Sequence, residues 1–358
     1  MENYTFLIEK LQELGLTKRE AEVYLTLLIK NGATVKELLE SLDIHQPQLY
    51  NIIQSLIRKG FIRASSGRPR VYTASDISAL IDVQKMKFDL LKSTLQEELA
   101  KIKSRPEEEG PYISMVRSLE GVLASIIETI NAAEVEIRAE LPAPIFEELK
   151  PYLLGALQRN VNLYLLVYPG TVSFEEFERF KDQVKIKTSE LGNFLLVISD
   201  LSRAVYAKRR FFSIHKLPVS NTEVYGYVIH EKDLLLRLLN IHNNLWIKAK
   251  EVLCWIPRPE LYPKIFIEFS MALNELETLL RLGYTPIVTV EGRDVKNGFP
   301  LKIRGRVRSV NRFGIVSNFV LECEKGTLTI GGFDAEVEDV EAQRVTIDKI
   351  ERQTGGKG

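Results

Sequence analysis

The stretch QPQLYNIIQSLIRKG, residues 46–60, runs directly into FIRASSGRPRVYT, residues 61–73, and together they decide the fold of the N-terminal part of this chain. The first piece reads as a helix from Gln46 to Lys59. Pro47 fits its opening turn, where no backbone N–H is needed. Leu49, Ile52, Ile53 and Leu56 recur at helical spacing and form one apolar stripe, and Gly60 ends the helix. The second piece reads as two short strands, Phe61–Ala64 and Arg70–Thr73, around the turn Ser65-Ser66-Gly67-Arg68-Pro69.

Working outward toward the N-terminus, residues 5–14 pattern as an amphipathic helix with Phe6, Leu7, Leu11 and Leu14 on one face. Thr17 caps the next helix, with Glu20 three residues on completing a capping box. That helix offers Ala21, Tyr24, Leu25 and Leu28 to a core and stops at Gly32. Thr34 caps a short helix carrying Val35, Leu38 and Leu39. Three helices followed by a hairpin with a basic tip is the plan of a winged helix-turn-helix, assigned to residues 1–76.

Residues 77–104 contain no Gly or Pro and read as one long helix. Ile81, Phe88, Leu95 and Ile102 repeat every seven residues, while the companion row Ile77, Gln84, Leu91, Glu98 is half apolar, a modest coiled-coil pattern. Ser104 to Pro111 reads as a linker. Strands and helices then alternate, predicting an α/β domain with a mixed sheet over 105–284. Strands fit 112–116, 135–139, 161–168, 184–187, 194–199, 203–207 and 224–229. Helices fit 118–132, 143–159, 231–252 and 260–281. From Thr285 strands alone recur, at 286–291, 301–310, 314–322, 327–330 and near 344–350, predicting a small all-β module over 285–358. The fold class is therefore multidomain α+β.

The chain has 358 residues, 45% of them hydrophobic, which is ample for packed cores. No apolar run is long enough to span a membrane, and the acidic, amphipathic MENYTFLIEK start does not read as a signal peptide. Two cysteines without a CxxC and four scattered histidines predict no metal site, no cofactor and a reducing, cytoplasmic setting. Net charge is zero, but its distribution is uneven. Residues 1–57 hold eight acids and five bases, whereas residues 58–70 hold Arg58, Lys59, Arg63, Arg68 and Arg70 with no acid. A neutral protein can thus present one basic edge to nucleic acid.

Further residues carry a family likeness. LGLTKREAEVYL (14–25), LYNIIQSLIRKG (49–60) and GRPRVY (67–72) resemble the TrmB family of archaeal sugar-responsive transcription regulators. The resemblance continues through AEVEIR (133–138), LKPYLLGALQRNV (149–161) and GGFDAEVEDVE (331–341), so it covers nearly the whole chain. It implies a dimeric regulator with a phospholipase D-like effector domain and a C-terminal β module, both contributing to a sugar pocket. It places Asn318, Gly332, Phe333 and Glu338 at sugar-contacting positions, with a mono- or disaccharide as ligand. Two departures stand out. Family members often carry Arg or Lys where this chain has Gln46 and Gln48, and Met where it has Phe333.

The helix from Gln46 is expected to enter the major groove of double-stranded DNA. Gln46, Gln48 and Asn51 lie off its apolar stripe, and amide side chains can pair with adenine in bidentate fashion. Pro47 shares that end. Tyr50 is either a phosphate contact or a packing residue, with packing ahead. Arg68 and Arg70 on the wing suit phosphate or the minor groove, and Thr34 and Lys36 begin a helix where backbone N–H groups can bind phosphate.

A phospholipase D-like fold also invites a search for catalytic His-x-Lys. His230-Glu231-Lys232 is the one match, but Arg237 stands where the acid is needed and no second copy exists, so no enzyme is expected and a solvent-facing pair at a helix start is preferred. His215-Lys216 has the wrong spacing. The acids Glu336, Glu338, Asp339 and Glu341 are either sugar ligands or a solvated turn. Arg293, Lys296, Lys302, Arg304, Arg306, Arg308 and Arg312 face only Asp294 in their stretch. They are either a second phosphate-binding ridge or, preferably, an outer face paired with nearby Glu. Two functions stay open: a dimeric, ligand-gated transcription regulator acting through the helix 77–104, which is favoured, and an architectural DNA-coating protein with little sequence preference.

Overall fold

The computed structural model describes residues 2–102, 110–170, 172–212, 224–313, 316–333 and 335–352. Most of the linker read at 104–111 lies outside these residues, as do His215, Lys216 and the first two positions of the strand read at 314–322. The chain divides into two compact units, residues 1–107 and 108–358.

The first unit opens with α1 (Glu2–Glu13), α2 (Lys18–Ile29), α3 (Val35–Ser41) and α4 (Gln46–Arg58). Both capping boxes form as read, Thr17 with Glu20 and Thr34 with Glu37. The α4 stripe of Leu49, Ile52, Ile53 and Leu56 is buried. Strands β1 (Ile62–Ala64) and β2 (Tyr72–Ala74) pair antiparallel, with Ile62 opposite Ala74 and Ala64 opposite Tyr72. The Tyr24 hydroxyl, buried, donates to the Ser75 carbonyl at 3.0 Å and ties α2 to the end of the wing.

Two assigned faces differ from the expectation. In α1 the buried residues are Ile8 and Leu11, and Phe6 and Leu7 are exposed. In α2 the inward stripe runs through Val23, Tyr24 and Leu27, leaving Leu28 outside. Both helices carry apolar residues around most of their circumference, so periodicity alone does not choose the phase. In helix α5 (Ile77–Ile102), Ile81 is half-buried, while Phe88, Leu91 and Leu95 are exposed among the described residues.

The second unit begins with an eight-stranded mixed sheet in the order β10-β6-β5-β4-β7-β8-β9-β3. Its strands are β3 (Ile113–Arg117), β4 (Glu136–Pro142), β5 (Asn162–Tyr168), β6 (Val184–Thr188), β7 (Leu195–Ser199), β8 (Arg203–Ala207), β9 (Tyr225–Ile229) and β10 (Lys250–Leu253). The parallel pairs β4–β5 and β5–β6 form its middle, which explains the unbroken apolar run NLYLLVY in β5. A central parallel strand is covered on both faces. Leu163, Leu165 and Val167 point to the layer of α6 (Leu119–Ala132) and α7 (Ala143–Gln158). Tyr164, Leu166 and Tyr168 point the other way, into the core shared with Trp246, Trp255 and the C-terminal strands.

Helix α8 (Lys232–Lys248) packs Leu235 and Leu239 on that second face. It is shorter than the 231–252 expectation, because residues 250–253 leave it to form β10 at the sheet edge against β6. The helix expected over 260–281 is likewise confined to α9 (Phe269–Arg281), preceded by β11 (Lys264–Phe266). Three- and four-residue edge strands carry too little pattern to be told from helix turns, and only their pairing partners define them. The last sheet runs β11-β16-β12-β13-β14-β15, with β12 (Tyr284–Asp294), β13 (Pro300–Phe313), β14 (Val316–Cys323), β15 (Gly326–Gly331) and β16 (Val340–Arg352). A parallel β15–β16 pairing closes it on itself, and α9 packs against it. This sheet therefore recruits β11 and α9 from before residue 285.

Candidate DNA-reading surface and effector cavity

Burying the α4 stripe turns Gln46, Pro47, Gln48, Tyr50 and Asn51 outward. Tyr50 is 47% exposed, so the packing role expected of it is not the one it plays. It sits one residue past Leu49, about 100° around the helix from the core. On the wing Arg68 and Arg70 are exposed, and among the described residues neither forms an ion pair.

Lys59 does not belong to that free basic edge. Its Nζ donates to Glu20 Oε2 at 2.8 Å and to the Gly15 carbonyl at 2.8 Å. Ser55 Oγ donates to Glu20 Oε1 at 2.6 Å. Glu20 thus does more than cap α2, because it fastens α2 to α4 and holds the reading helix. Burial pushes the Glu20 carboxyl up, but Lys59, Ser55 and Thr17 outweigh it and hold it at about 2. A depressed carboxylate contributes stability that is present above its unfolded value of 4.5 and is lost as pH falls toward 2. Glu20→Gln should therefore lose the steep acid dependence of the first unit. Urea melts followed on the α2 and α4 amides by NMR at pH about 5 and about 2.5 test this, and an unchanged pH dependence would refute it.

At the start of α3 the phosphate reading meets an obstacle. The Thr34 N–H donates to Glu37 Oε2 at 2.7 Å, and the Thr34 hydroxyl donates to the same oxygen at 2.8 Å. A carboxylate already occupies the place offered to phosphate, and α3 is only seven residues long. Lys36 is exposed beside it.

The basic residues of β13 form an outer face paired with acids. Lys302 meets Glu291 at 2.6 Å, Arg304 meets Asp348 at 3.0 Å, Arg306 meets Glu351 at 3.7 Å, and Arg308 pairs with Glu322. Arg293 pairs with Glu341 and Arg312 with Glu277. Such exposed pairs are each worth about 0–1 kcal/mol, and they neutralise the ridge rather than leave it for phosphate.

The second unit contains a cavity of about 460 Å³ between α8 on one wall and α9, β13 and the loop after β15 on the other. Gly332 and Phe333 line it, together with Lys232, Asp233, Arg237, Asn240, Ser270, Arg312 and Gln343. Lys232 Nζ sits 3.9 Å from the centroid of the Phe333 ring. A Cβ on Gly332 would come within 2.8 Å of Phe269 Cδ1, so only glycine lets the loop approach that ring. Asn318 and Glu338 stand behind this wall. The Asn318 amide donates to Glu338 Oε1 at 3.3 Å, and Glu338 is buried. Of the expected sugar contacts, then, two reach the cavity and two brace it.

The solvated-turn reading of the acid run also gives way. Glu338 holds Asn318, Asp339 accepts the Thr329 N–H and hydroxyl at 2.8 Å each, and Glu341 pairs with Arg293. Only Glu336 and its apolar neighbour Val337 face outward. Sequence reading missed the α8 wall. Its signal was the spacing Asp233, Arg237, Asn240, which is i, i+4, i+7 on one helix face.

Below the cavity lies a buried charged layer. Arg138 Nη1 donates to Glu268 Oε2 at 2.9 Å and Nη2 to Asn243 Oδ1 at 2.7 Å. The guanidinium also stacks 5.2 Å from the Trp246 ring. Glu268 caps α9, accepting the Ser270 and Met271 N–H groups, while its own N–H donates to Glu136 Oε1 at 2.6 Å. Burial, with the neighbouring Glu268 carboxylate, pushes the Glu136 carboxyl up to about 8. Alongside, His242 Nδ1 meets Glu140 Oε2 at 2.9 Å, and burial lowers the imidazole pKa.

His230 stacks on Tyr112 with ring centroids 4.4 Å apart, and Lys232 turns into the cavity wall over Phe333 rather than into open solvent. Among the described residues no group of three His, Cys, Asp or Glu could hold a metal, and no helix is long and apolar enough to cross a membrane.

A winged helix with an outward amide face, on one chain with a polar cavity between two packed subdomains, defines a DNA-binding regulator that senses a small molecule. Three family models match successive stretches: the sugar-specific transcriptional regulator TrmB over residues 11–78, the N-terminal subdomain of the TrmB effector-binding domain over 112–253, and the C-terminal subdomain of the TrmB/TrmBL1 effector-binding domain over 261–350. The chain belongs to the TrmB family of DNA-binding, sugar-sensing transcriptional regulators, which is not a family of enzymes. It is 23% identical over 350 residues to the HTH-type sugar sensing transcriptional regulator TrmBL1 of Pyrococcus furiosus, across 94% of this chain and 97% of that protein. It is 33% identical over 73 residues to the uncharacterized protein MJ1623 of Methanocaldococcus jannaschii, across 20% of this chain and 14% of that one. Among solved structures, it is similar to TrmBL2, an archaeal chromatin protein, at 19% identity and a TM-score of 0.34, covering 70% of this chain and all of that one. It is also similar to Nuc, a phospholipase D family member from Salmonella typhimurium, at 16% identity and a TM-score of 0.32, covering 40% of this chain and 99% of that one.

Proposed function

We propose that the chain works as a homodimer whose affinity for double-stranded DNA is set by a mono- or disaccharide bound in the cavity of the second unit. Residues 1–76 read DNA, 77–104 dimerise through the exposed part of the α5 heptad row, and 105–284 with 285–358 form the sensing half. Gln46, Gln48 and Asn51 contact base edges, Pro47 and Tyr50 border them, and Arg68 and Arg70 meet the phosphates. Lys36 adds charge beside Thr34, which holds α3. Gly332 and Phe333 contact the sugar, braced by Asn318 and Glu338. The observation that carries the gating is the cavity itself. Its walls come from two subdomains, so a ligand that touches both changes how they pack.

The test is fluorescence anisotropy on a panel of unrelated duplexes, with and without common mono- and disaccharides. One site preferred by more than roughly a hundredfold, released by a sugar, supports the reading. A panel in which no sugar alters DNA binding would count against it. Arg68→Ala with Arg70→Ala should lower the slope of log affinity against log salt by about two, or roughly 0.9 for each phosphate the wing no longer neutralises. An unchanged slope would remove the wing from the interface.

A second reading follows from the neutral reading face. Gln46 and Gln48 stand where family members often carry Arg or Lys, so an architectural protein of this kind would draw its affinity from phosphates, with a strong salt dependence and little sequence preference. Equal affinity across the same panel favours this alternative.

A further inference from the structure

We propose that the second unit carries a second site for a neutral saccharide, in a separate cavity that shares a wall with the first. This goes beyond the single-site reading above and does not need a ligand in the first cavity. The second cavity has a volume of about 430 Å³, within the roughly 300–1,000 Å³ range of small-molecule sites. Like the first, it takes its walls from both subdomains. Val135, Asn162 and Gln183 stand at the starts of the parallel strands β4, β5 and β6, and residues 260–265, which lead into β11, stand opposite.

The two walls differ in chemistry. The sheet side brings the amides of Asn160, Asn162 and Gln183 and the carboxylate of Glu134. Much of its hydrogen-bonding capacity is unspent. Gln183 Nε2 donates to Asn160 Oδ1 at 3.1 Å, which leaves the Asn160 amide N–H groups, and Asn162 uses Nδ2 on the Val135 carbonyl at 3.4 Å, which leaves its oxygen. Among the described residues the Glu134 carboxylate has no partner, and no donor reaches Asp182 Oδ1 or Gln183 Oε1. The facing side offers the apolar surface of Leu261, Pro263 and Ile265. A saccharide has the same two characters, with hydroxyls that donate and accept around the ring edge and apolar C–H faces. Amides and carboxylates on one wall suit the hydroxyls, and the aliphatic wall suits a C–H face.

The charges favour a neutral ligand. The lining sets Glu134, Asp182 and Glu260 against Lys264, which disfavours an anion. Nor are the acids gathered for a cation. Asp182 Oδ2 accepts from Arg258 at 2.6 Å, and the same guanidinium lies 3.9 Å from Glu260. Lys264 Nζ donates to the Asp182 carbonyl at 3.0 Å, which keeps an ammonium at the base of the cavity.

The wall between the two cavities is thin. Glu134 and Val135 line the second, and their N–H groups donate at 2.7 and 3.0 Å to Asp200, which lines the first. Ile265 lines the second, and Ile267 and Glu268, next along the chain, line the first. Glu136 ties the two halves of this wall together, its Oε1 accepting the Glu268 N–H at 2.6 Å. A ligand that shifts either segment from one side alters the surface offered on the other, so the two sites are coupled.

Calorimetric titration of the full chain with glucose, maltose, sucrose and, as a cationic control, spermidine tests the assignment. At least one saccharide should bind in two events per chain. Glu134→Ala with Glu260→Ala, both exposed, removes a carboxylate from each wall of the second cavity. It should weaken one event tenfold or more, the loss expected for hydrogen bonds to charged groups. Asp233→Ala with Gln343→Ala, also exposed, should weaken the other event, at the first cavity. A second readout separates the cavities. Lys264 Nζ lies 3.1 Å from the centroid of the Trp255 ring, so the Trp255 indole N–H resonance should shift with saccharide in wild type and stay in place in Glu134→Ala with Glu260→Ala. A single event that survives this double variant, with Trp255 unmoved, overturns the second site and leaves the first cavity as the sugar site. A single event lost in the double variant, with Trp255 shifting in wild type, supports the second site and overturns the placement of sugar in the first. No saccharide binding at all overturns both. Spermidine binding more tightly than any saccharide, and lost in the double variant, overturns the neutral ligand. Two events that each keep their affinity when the other cavity is disabled overturn the coupling.

Discussion

Arg138→Met lowers the stability of the second unit by ~3–5 kcal/mol, the usual cost of removing one partner from a buried ion pair. The side chain is 2% exposed, and its guanidinium is the countercharge of Glu268 and the donor to Asn243. Methionine keeps much of the volume but leaves the Glu268 carboxylate buried without its cation. The change also removes the stack over Trp246, so packing contributes to the loss. Urea melts followed by tryptophan fluorescence read this unit alone, because Trp246 and Trp255 are the chain's two tryptophans and both lie in its core. The double variant Arg138→Met with Glu268→Gln should recover part of the loss, since it removes the stranded charge. Equal stabilities of wild type and the single variant would mean that Glu268 has another source of compensation.

Glu136→Gln should do the opposite, and its effect should grow with pH. The Glu136 carboxyl is held up at about 8 in the folded chain against 4.5 when unfolded. A group raised in this way contributes stability that is fully present below 4.5 and is lost as pH rises through 8, because the unfolded chain gives up the proton first. The difference corresponds to roughly 3–5 kcal/mol. Glutamine cannot ionise, and it keeps an acceptor for the Glu268 N–H. The variant and wild type should therefore be close in stability near pH 4.5, with the variant ahead by several kcal/mol near pH 8. Other buried groups slope the other way. Burial lowers Lys264 to about 7, and it lowers His242, so both cost stability as pH falls. Comparing the two proteins at each pH cancels those contributions. Parallel stability curves would show that Glu136 ionises in the folded state as it does in the unfolded one.

The same strand, β4, shows where sequence reading stops. Glu136, Arg138 and Glu140 alternate with Ile137, Ala139 and Leu141, the usual pattern of a strand with one wet face. All seven residues of β4 are buried. The polar side is covered by α8 and α9, which arrive about a hundred residues later and bring the partners His242, Asn243 and Glu268 with them. Alternation records which residues share a face, but not what lies over that face. The same limit hid the cavity. Asp233, Arg237 and Asn240 share one side of α8, and nothing local tells that side that β13 and the Phe333 loop stand opposite.

What the sequence by itself determined was whatever a short window encloses. The capping boxes at Thr17 and Thr34, the Leu49 to Leu56 stripe and the glycine-bounded wing depend on contacts within a few residues, so their spacing specifies them. With the stripe buried, the amide face of α4 had to point outward. Tertiary structure alone decided which charges are buried and which stay free. It took Lys59 from the basic edge and gave it to Glu20, paired the β13 arginines with acids from neighbouring strands, and left Arg237 without a partner among the described residues. The reason is physical. A charge is settled by its nearest opposite charge and by its access to water, and in this chain those neighbours lie tens to more than a hundred positions away.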